Sequence, residues 1–402
     1  MNSKYLIVLS IIFISFSSNA AKLSQSESRQ LQSAQRLRQQ RFTEAEHYLK
    51  QLNHQYQQQK RAYAQTVALL YRSQVALEQQ TYAQALNNLQ EAYHLQQLSD
   101  DQQNSTLYQI AQLQLQEQQW SAAITSFSLW QAQQLPPPVL ADSEFYLAQA
   151  HAQLGHWNKA EQHIAQALTK QPAVPPLIWL PLAVSIYSQQ QHWPLAIRVQ
   201  QQVLLRQGQQ LQAYLVLVAL LQQARQPDKA LAYLQQAFQA NLFENSEPYL
   251  LLSQRWQSQG APYQAALVLQ QGMQQGRMAG QTKLRQKRCQ LWLSAKDYPQ
   301  ASSCFSQSLN LEPSRKHYQQ LAYAQAQQRL WQQSINSLQR ALDYPDTEPA
   351  HNYLNLGLLY LELQPYPEAE QALKKAGESS STASISQQAL RYLQQRQTLS
   401  LP

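Results

Sequence analysis

The pattern of apolar, small and polar residues predicts a helix in the segment from Leu154 to Pro172. Trp157 opens the helical part of this segment, and Ala160 and Ala167 follow it seven residues apart. Residues seven positions apart lie on the same face of an α-helix, two turns from one another. Proline cannot continue a helix, so Pro172 marks its end. The spacing therefore predicts a helix with a face of small residues that can lie close to another helix.

The same arrangement recurs along the chain as ten units. In each unit an aromatic residue or a proline is followed three positions later by a small residue, and the mean spacing is about 36 residues, typical of helix–turn–helix solenoids. The small residues of the ten units are Ala45, Ala85, Ala123, Ala160, Ala196, Ala230, Ala265, Ala301, Ser334 and Ala369. Because one helix pair cannot bury its apolar face alone, neighbouring pairs are expected to stack.

The repeats resemble the tetratricopeptide repeat (TPR) family over nearly all of the chain after residue 20. The best unit spans residues 352–376, and the residues that carry the resemblance there are Tyr353, Leu356, Gly357, Tyr360, Tyr366, Ala369 and Ala376. The resemblance implies an all-α fold, a right-handed α-solenoid of about ten TPR-like helix pairs with a C-terminal capping helix. The chain has only 8 glycines, which also favours an all-α protein over a turn-rich β protein.

Three features depart from the regular pattern. Arg285 and Arg288 stand at positions that are normally apolar, so the register of their helix is uncertain. Pro181 falls inside the first helix of the fifth unit, where it should kink that helix or delay its start. Two proline clusters, at residues 136–138 and 172–176, either form hinges between sub-arrays or belong to longer loops between repeats.

We predict four segments: a signal peptide over residues 1–20, N-terminal TPR-like repeats over 21–135, a main TPR array over 139–376, and a polar loop with a capping helix over 377–402. The first segment has a positive residue, a short apolar stretch and small residues before Ala20, as secretory signals do. The apolar stretch is shorter than the roughly 20 residues that span a bilayer. We therefore expect cleavage near Ala20, export to the periplasm and no stable membrane insertion afterwards.

The composition and charge add two points. About a fifth of the residues are glutamine and only 13% are charged, so amide side chains are expected on the exposed helical faces. The net charge of +8 would suit a nucleic-acid partner in a cytoplasmic protein. Export argues against nucleic acid here, and an evenly solvated surface accounts for the basic balance.

The sequence carries no motif for catalysis or for a cofactor. It has no glycine-rich phosphate loop, no HExxH and no GxSxG. A peptidoglycan-cleaving transglycosylase needs a catalytic glutamate inside a lysozyme-like domain, and too few residues follow Glu378 for such a domain. His151, His156 and His163 lie near one helix turn, but we interpret them as surface histidines. We predict no enzyme activity, no cofactor and no metal site.

Two features lie close together in the eighth unit. Cys289 and Cys304 are predicted on its two helices, and in an oxidising compartment such a pair can form a disulfide if the Cα atoms come within about 7 Å. The helix register decides this distance, so the bond stays open. A basic patch nearby is either a docking site for an acidic partner segment or a solvated helical face. Its residues are Arg277, Lys283, Arg285, Lys287 and Arg288.

The TPR resemblance also implies a binding surface. In that family the first helices of the pairs line a concave face, and aromatic and amide side chains there suit an extended peptide. Carrying over those positions predicts partner contacts at Tyr108, Gln112, Phe145, Gln149, Lys283, Gln286, Gln290, Gln319 and Tyr323. The alternative is that they are ordinary surface residues.

The order of the units narrows the expected function. The runs at residues 246–276 and 298–313 are similar to TPR proteins associated with bacterial TonB energy-transduction systems. This resemblance implies a non-catalytic periplasmic scaffold that supports TonB-dependent transport, with TonB-, ExbB- or ExbD-type components as partners. The alternatives are a scaffold for polysaccharide export or for pilus or outer-membrane assembly, and a degenerate peptidoglycan-processing protein. The oligomeric state stays open.

Overall fold

The computed structural model describes residues 23–38, 41–132, 137–171, 174–208, 210–278, 282–345 and 349–399. Within these ranges the chain forms 21 α-helices in succession and no strand. The predicted signal peptide, residues 1–20, lies outside the described residues. None of the described helices is both long enough and apolar enough to cross a bilayer.

The helices follow one another with short connections. They are α1 (Gln25–Arg38), α2 (Phe42–Gln58), α3 (Ala62–Glu78), α4 (Tyr82–His94), α5 (Asp100–Gln116), α6 (Trp120–Gln131), α7 (Pro137–Gln153), α8 (Trp157–Lys170), α9 (Trp179–Gln189), α10 (Trp193–Gln207), α11 (Leu211–Gln223), α12 (Pro227–Gln239), α13 (Ser246–Ser258), α14 (Pro262–Gln274), α15 (Thr282–Ser294), α16 (Tyr298–Leu309), α17 (Arg315–Gln327), α18 (Trp331–Leu342), α19 (Ala350–Leu363), α20 (Tyr366–Gly377) and α21 (Ala383–Leu399).

The sequence repeat marks the second helix of each pair. Every even-numbered helix from α2 to α20 begins at the aromatic residue or proline of a predicted unit, from Phe42 to Tyr366. The small residue three positions later is buried in all ten units, with at most 2% of its surface exposed. A larger side chain there would hold the helices apart. The tandem helices with this repeat, followed by α21, confirm the predicted all-α array of TPR-like pairs with a C-terminal helix.

Most pairs share one turn geometry. In every pair from the second to the tenth, the residue two positions before the second helix has a positive φ. Gly155 (φ 74°) and Gly260 (φ 70°) fill two of these positions, and glycine adopts this conformation without steric cost. The other seven are Gln80, Gln118, Gln191, Arg225, Lys296, Arg329 and Gln364. A residue with a side chain gives up about 1 kcal/mol in the left-handed region.

The chain forms two compact units, residues 1–226 and 227–402. The first contains α1 to α11 and the second α12 to α21. The predicted segment boundary at residues 135–139 falls within the first unit, where Phe127 and Trp130 of α6 share a core cluster with Leu147 of α7. The predicted boundary also includes residues 135 and 136, which lie outside the described residues, so the division into four segments stays a prediction.

Hydrogen bonds between polar side chains link neighbouring pairs within each unit. Gln190 Nε2 donates to Asn158 Oδ1 in the first unit. In the second unit, Gln259 Nε2 lies 2.8 Å from Asp228 Oδ1. Gln319 Nε2 lies 2.8 Å from Asn352 Oδ1. The partners are about one repeat apart in sequence, so part of the glutamine content serves contacts between adjacent pairs.

The proline inside the fifth unit sits where a helix tolerates it. The first helix of that unit, α9, begins at Trp179, which places Pro181 in its first turn. Backbone N–H groups of the first turn have no partner within the helix, so the missing N–H of proline costs little there. Of the two predicted outcomes, the structure shows the delayed start.

The last helix, α21, covers the end of the array. Leu393 of α21 is buried, and Leu390 is partly buried against Leu354, Leu373 and Ala376 of the final pair. These contacts give α19 and α20 an apolar neighbour on the side where the repeats stop. An array of this kind needs such a cap, because its last pair otherwise exposes an apolar face.

Candidate functional site

An open groove of about 320 Å³ lies between α13 and α15 in the second unit. Its lining residues are Gln257 of α13 and Lys283, Gln286, Lys287, Gln290, Leu291 and Ser294 of α15. None of these seven residues is acidic, and five of them carry amide or ammonium groups. The groove therefore offers hydrogen-bond donors and positive charge to whatever lies in it. We call it the basic groove.

Helical spacing brings these side chains to one side of α15. Lys283, Lys287 and Leu291 are each four positions apart, and residues at this spacing lie on the same helix face. Lys283 is exposed and Lys287 is half-buried, while Leu291 is buried and forms the apolar base of the face. Gln286 Nε2 donates to Glu312 Oε2 at 3.1 Å, which holds its amide at the edge of the groove.

Three of the residues predicted on the concave face meet in this groove: Lys283, Gln286 and Gln290. Two others, Gln319 and Tyr323, lie on α17 and do not line it. Tyr323 is 51% exposed, and its ring lies 6.2 Å from that of Tyr298. Gln319 is occupied by its hydrogen bond to Asn352. The three predicted residues of α15 therefore line one groove, whereas the two predicted residues of α17 lie outside it.

The predicted basic patch is not a single surface. Only Lys283 and Lys287 line the basic groove. Arg277 is exposed and donates to the carbonyl oxygen of Glu244, with an N–O distance of 3.5 Å. Arg285 lines a separate small cavity. Arg288 is half-buried, and burial, with the nearby charge of Arg285, lowers the pKa of its guanidinium.

The four concave positions predicted in the first unit are corrected by the structure. Tyr108, Gln112, Phe145 and Gln149 are all buried, so their side chains contact other helices and leave no surface for a partner. The ring of Tyr108 lies 4.6 Å from that of Trp130, and the ring of Phe145 stacks on Trp179 at 5.1 Å. Aromatic side chains gain more from this burial than from exposure to water.

Other aromatic rings pack against Tyr108, a position where the sequence predicted contact with a partner. Tyr108 also contacts Phe127 and Tyr146, with ring centres 5.7 Å and 6.4 Å away. Burial raises the pKa of Tyr108, as expected for a phenol removed from water. The side chains at these positions therefore join successive helix pairs to each other.

Cys289 and Cys304 form a disulfide that joins α15 to α16. The sulfur atoms are 2.09 Å apart and the Cα atoms 5.3 Å apart. Both cysteines are buried, and Arg288 Nε lies 3.4 Å from Cys304 Sγ. The disulfide therefore lies next to the basic groove, because two groove residues, Lys287 and Gln290, are within two positions of Cys289 in α15.

The three histidines near the fourth pair are not all on the surface. His151 is buried, and its ring lies parallel to that of His163 with centres 5.2 Å apart. His163 Nδ1 lies 2.7 Å from Glu144 Oε2, and Glu144 also pairs with Lys170. Burial lowers the pKa of His151 to about 4. The interpretation of His151 as a surface residue is corrected, because its helix face packs against α8.

The described residues contain no group of three or more histidine, cysteine, aspartate or glutamate side chains that could hold a metal ion. In the cluster around His151, the carboxylate of Glu144 is already neutralised by Lys170 Nζ at 2.6 Å. Of the three histidines, only His151 is a core side chain.

A second groove, of about 510 Å³, was missed by the sequence reasoning. It lies where α19 meets α21 and is mostly apolar, with Leu358, Leu361, Ile385 and Tyr392 among its lining residues. Ile385 and Tyr392 are seven positions apart on α21, so they share a helix face. That spacing was a usable signal, but the sequence analysis assigned this helix only the role of a cap.

No protein-family model matches the sequence, and the search of curated proteins finds no match. Among solved structures, a TPR protein from Parabacteroides merdae is 14% identical, covers 63% of this chain and 99% of its own, and gives a TM-score of 0.32. MamA from Desulfovibrio magneticus RS-1 is 18% identical, with 42% and 93% coverage and a TM-score of 0.32.

YrrB, described as a TPR protein with an unusual peptide-binding site, is 14% identical, covers 44% of this chain and 91% of its own, and gives a TM-score of 0.35. These similarities concern the fold alone. The classification rests on the described chain itself: 21 successive helices, a buried small residue near the start of each even-numbered helix from α2 to α20, and a recurring turn. The protein is a TPR-like helical repeat array.

Proposed function

We propose that this protein is an exported, non-catalytic scaffold whose basic groove holds an acidic, extended segment of a protein partner. The observation that carries the proposal is the lining of the groove: two lysines and three glutamines with no acidic residue among them. Carboxylates of a partner would pair with the ammonium groups, and glutamine side chains can bond both the N–H and the C=O of an extended backbone.

The arrangement of the lysines supports a ligand role over a structural one. Lys283 and Lys287 are four positions apart on one helix, where like charges destabilise the helix by about 0.2–0.5 kcal/mol. No acidic residue in the lining offsets this repulsion. An acidic segment in the groove would offset the repulsion between Lys283 and Lys287. Part of the binding free energy would therefore come from the loss of this repulsion.

Features of the sequence support a location and a partner. The features of residues 1–20 support export to the periplasm, and the resemblance to TPR proteins of TonB systems supports a TonB-, ExbB- or ExbD-type component as partner. The protein then serves as an accessory part of TonB-dependent transport. Crosslinking in intact cells, followed by purification of the tagged protein, should recover these components. Recovery of unrelated envelope proteins alone would contradict this assignment.

Charge reversal tests the groove directly. A fluorescein-labelled peptide of glutamates and glycines is titrated with the wild-type protein and with Lys283→Glu/Lys287→Glu, and fluorescence anisotropy reports binding. We expect at least a tenfold loss of affinity in the variant, from two charge-assisted contacts of roughly 1 kcal/mol each. The affinity of the wild type should also fall as salt is raised, since exposed charges are screened.

A matched control separates the groove from general electrostatics. Lys229→Glu/Lys316→Glu changes the net charge by the same amount, and both lysines are exposed and outside the groove. This variant should bind the peptide within about twofold of the wild type. If both double variants lose affinity equally, attraction is non-specific and the groove is not the site.

A further inference from the structure

We infer that the Cys289–Cys304 disulfide controls the basic groove: the oxidised bond holds α15 in its binding position, and reduction releases the first half of α15 and weakens binding of an acidic segment. The binding part rests on the proposed function. The structural part, release of α15, stands without it.

The groove depends on one helix. Six of its seven lining residues belong to α15, and only Gln257 comes from α13. The disulfide enters α15 at Cys289, between Lys287 and Gln290, and joins it to Cys304 of α16. Any movement of α15 relative to α16 therefore moves both lysines and two of the three glutamines together.

Apart from the hydrogen bond between Gln286 and Glu312, the first half of α15 has little else to hold it. None of the side chains from Lys283 to Arg288 is buried, and burial begins only at Cys289, followed by Leu291 and Trp292. The first helix of the preceding pair differs, since α13 buries Pro248 and Tyr249 in its first turn. A helix of this length is marginal without tertiary packing. In α15 the covalent bond stands at the point where apolar contacts start.

The charges around the sulfur atoms favour the reduced products once the bond breaks. Arg288 Nε lies 3.4 Å from Cys304 Sγ, and a guanidinium at that distance stabilises a thiolate. Cys289 Sγ lies 3.4 Å from Ser308 Oγ instead. Cys304 is therefore the better leaving group, since exchange is faster when the departing thiol is the more acidic one.

The exchange with a dithiol reductant proceeds in two steps. A thiolate of the reductant attacks Cys289 Sγ, the bond between the two protein sulfurs breaks, and Cys304 leaves as a thiolate beside Arg288. The second thiol of the reductant then attacks the mixed disulfide, releasing Cys289 and closing a cyclic disulfide. The protein gains two electrons and two protons, and the reductant loses the same. Both sulfurs are buried, so the reductant reaches them during brief local opening around the bond, and after reduction the release of α15 persists.

Hydrogen exchange on the full-length protein tests the structural part. Backbone amides of residues 283–288, the first half of α15, are followed by mass spectrometry in the oxidised protein, in protein reduced with dithiothreitol, and after reoxidation. We expect exchange about a hundredfold faster in the reduced state. This factor corresponds to the entropy that the opened segment gains when the bond no longer closes a loop of about 15 residues. Amides of α17, which the disulfide does not touch, serve as the internal control and should not change. Unchanged exchange in α15 would overturn the inference whatever the peptide does.

Anisotropy titrations of the same three samples test the binding part. The reduced protein should bind the labelled acidic peptide at least tenfold more weakly, and reoxidation should restore the affinity. Cys289→Ser/Cys304→Ser should behave as the reduced protein both with and without dithiothreitol. Faster exchange in α15 with unchanged affinity would overturn control of the groove. Absence of binding to the oxidised protein would instead refute the proposed function, and the exchange data would still decide the role of the bond.

Discussion

Gly357 of α19 faces α20 at a distance that leaves no room for a side chain. A Cβ atom added there would lie 2.6 Å from Cγ and 2.7 Å from Cδ2 of Leu373, and 3.3 Å from the backbone nitrogen of that residue. Carbon atoms in favourable contact are about 3.5–4.0 Å apart. Gly357→Ala therefore forces α19 and α20 apart or displaces Leu373.

Leu373 has no free space into which its side chain could move. Leu373 is fully buried, and Leu354 and Ala389 share its core cluster, so the α21 side is closed. Overpacking of a filled core costs about 1–3 kcal/mol. Alanine recovers up to about 1 kcal/mol through its higher helix propensity. We expect a net loss of about 1–2 kcal/mol in the free energy of unfolding.

Gly377→Ala is the matched control, because a Cβ at that position meets only Ser386 Cβ at an ordinary 3.8 Å. This variant should be as stable as the wild type or more stable by up to about 1 kcal/mol. Urea unfolding followed by far-ultraviolet circular dichroism measures both variants. If Gly357→Ala unfolds at the same urea concentration as Gly377→Ala, the close approach of α19 and α20 is refuted.

Two further predictions concern a turn and a buried histidine. Gln191→Gly should stabilise the fifth pair by about 0.5–1 kcal/mol, because Gln191 has φ 59°. Ser185→Gly in the interior of α9 should instead destabilise it by about 0.5 kcal/mol, and urea unfolding distinguishes the two signs. Burial lowers the pKa of His151 from 6.5 to about 4, so the unfolded chain takes up a proton that the native state resists. This contribution to the free energy of unfolding is complete above pH 6.5 and declines by about 3 kcal/mol as the pH falls to 4. His151→Leu should lose this part of the pH dependence, and the exposed control His54→Leu should keep it; identical profiles for the two variants would contradict the assignment.

The start of each second helix could be predicted from sequence because local geometry dictates it. Trp157 and Tyr366 begin helices, and Ala160 and Ala369 three positions later are buried where the paired helices meet. Only a small residue allows that approach, so the requirement repeats in every unit and becomes visible as a period. The buried face of each pair follows from the same constraint.

Side-chain contacts between helices could not be predicted in this way. Tyr108 and Phe145 stand at positions that face a ligand in the family resembled, yet here Trp130 and Trp179 cover them. The covering residues come from other helices, and no local spacing reports their orientation. The disulfide posed the same difficulty, since the arginines of α15 obscured the register that decides the Cα distance of 5.3 Å.

The side-chain bonds between neighbouring pairs have a consequence for the conditions in which the array keeps its form. Gln190 with Asn158, and Gln319 with Asn352, are joined by neutral amides that neither gain nor lose protons. Dissolved ions weaken the attraction of exposed charges but have little to screen between amides. Where such amide hydrogen bonds stand in place of carboxylate–ammonium pairs, the distance between adjacent repeats should not change with salt concentration or with moderate changes of pH.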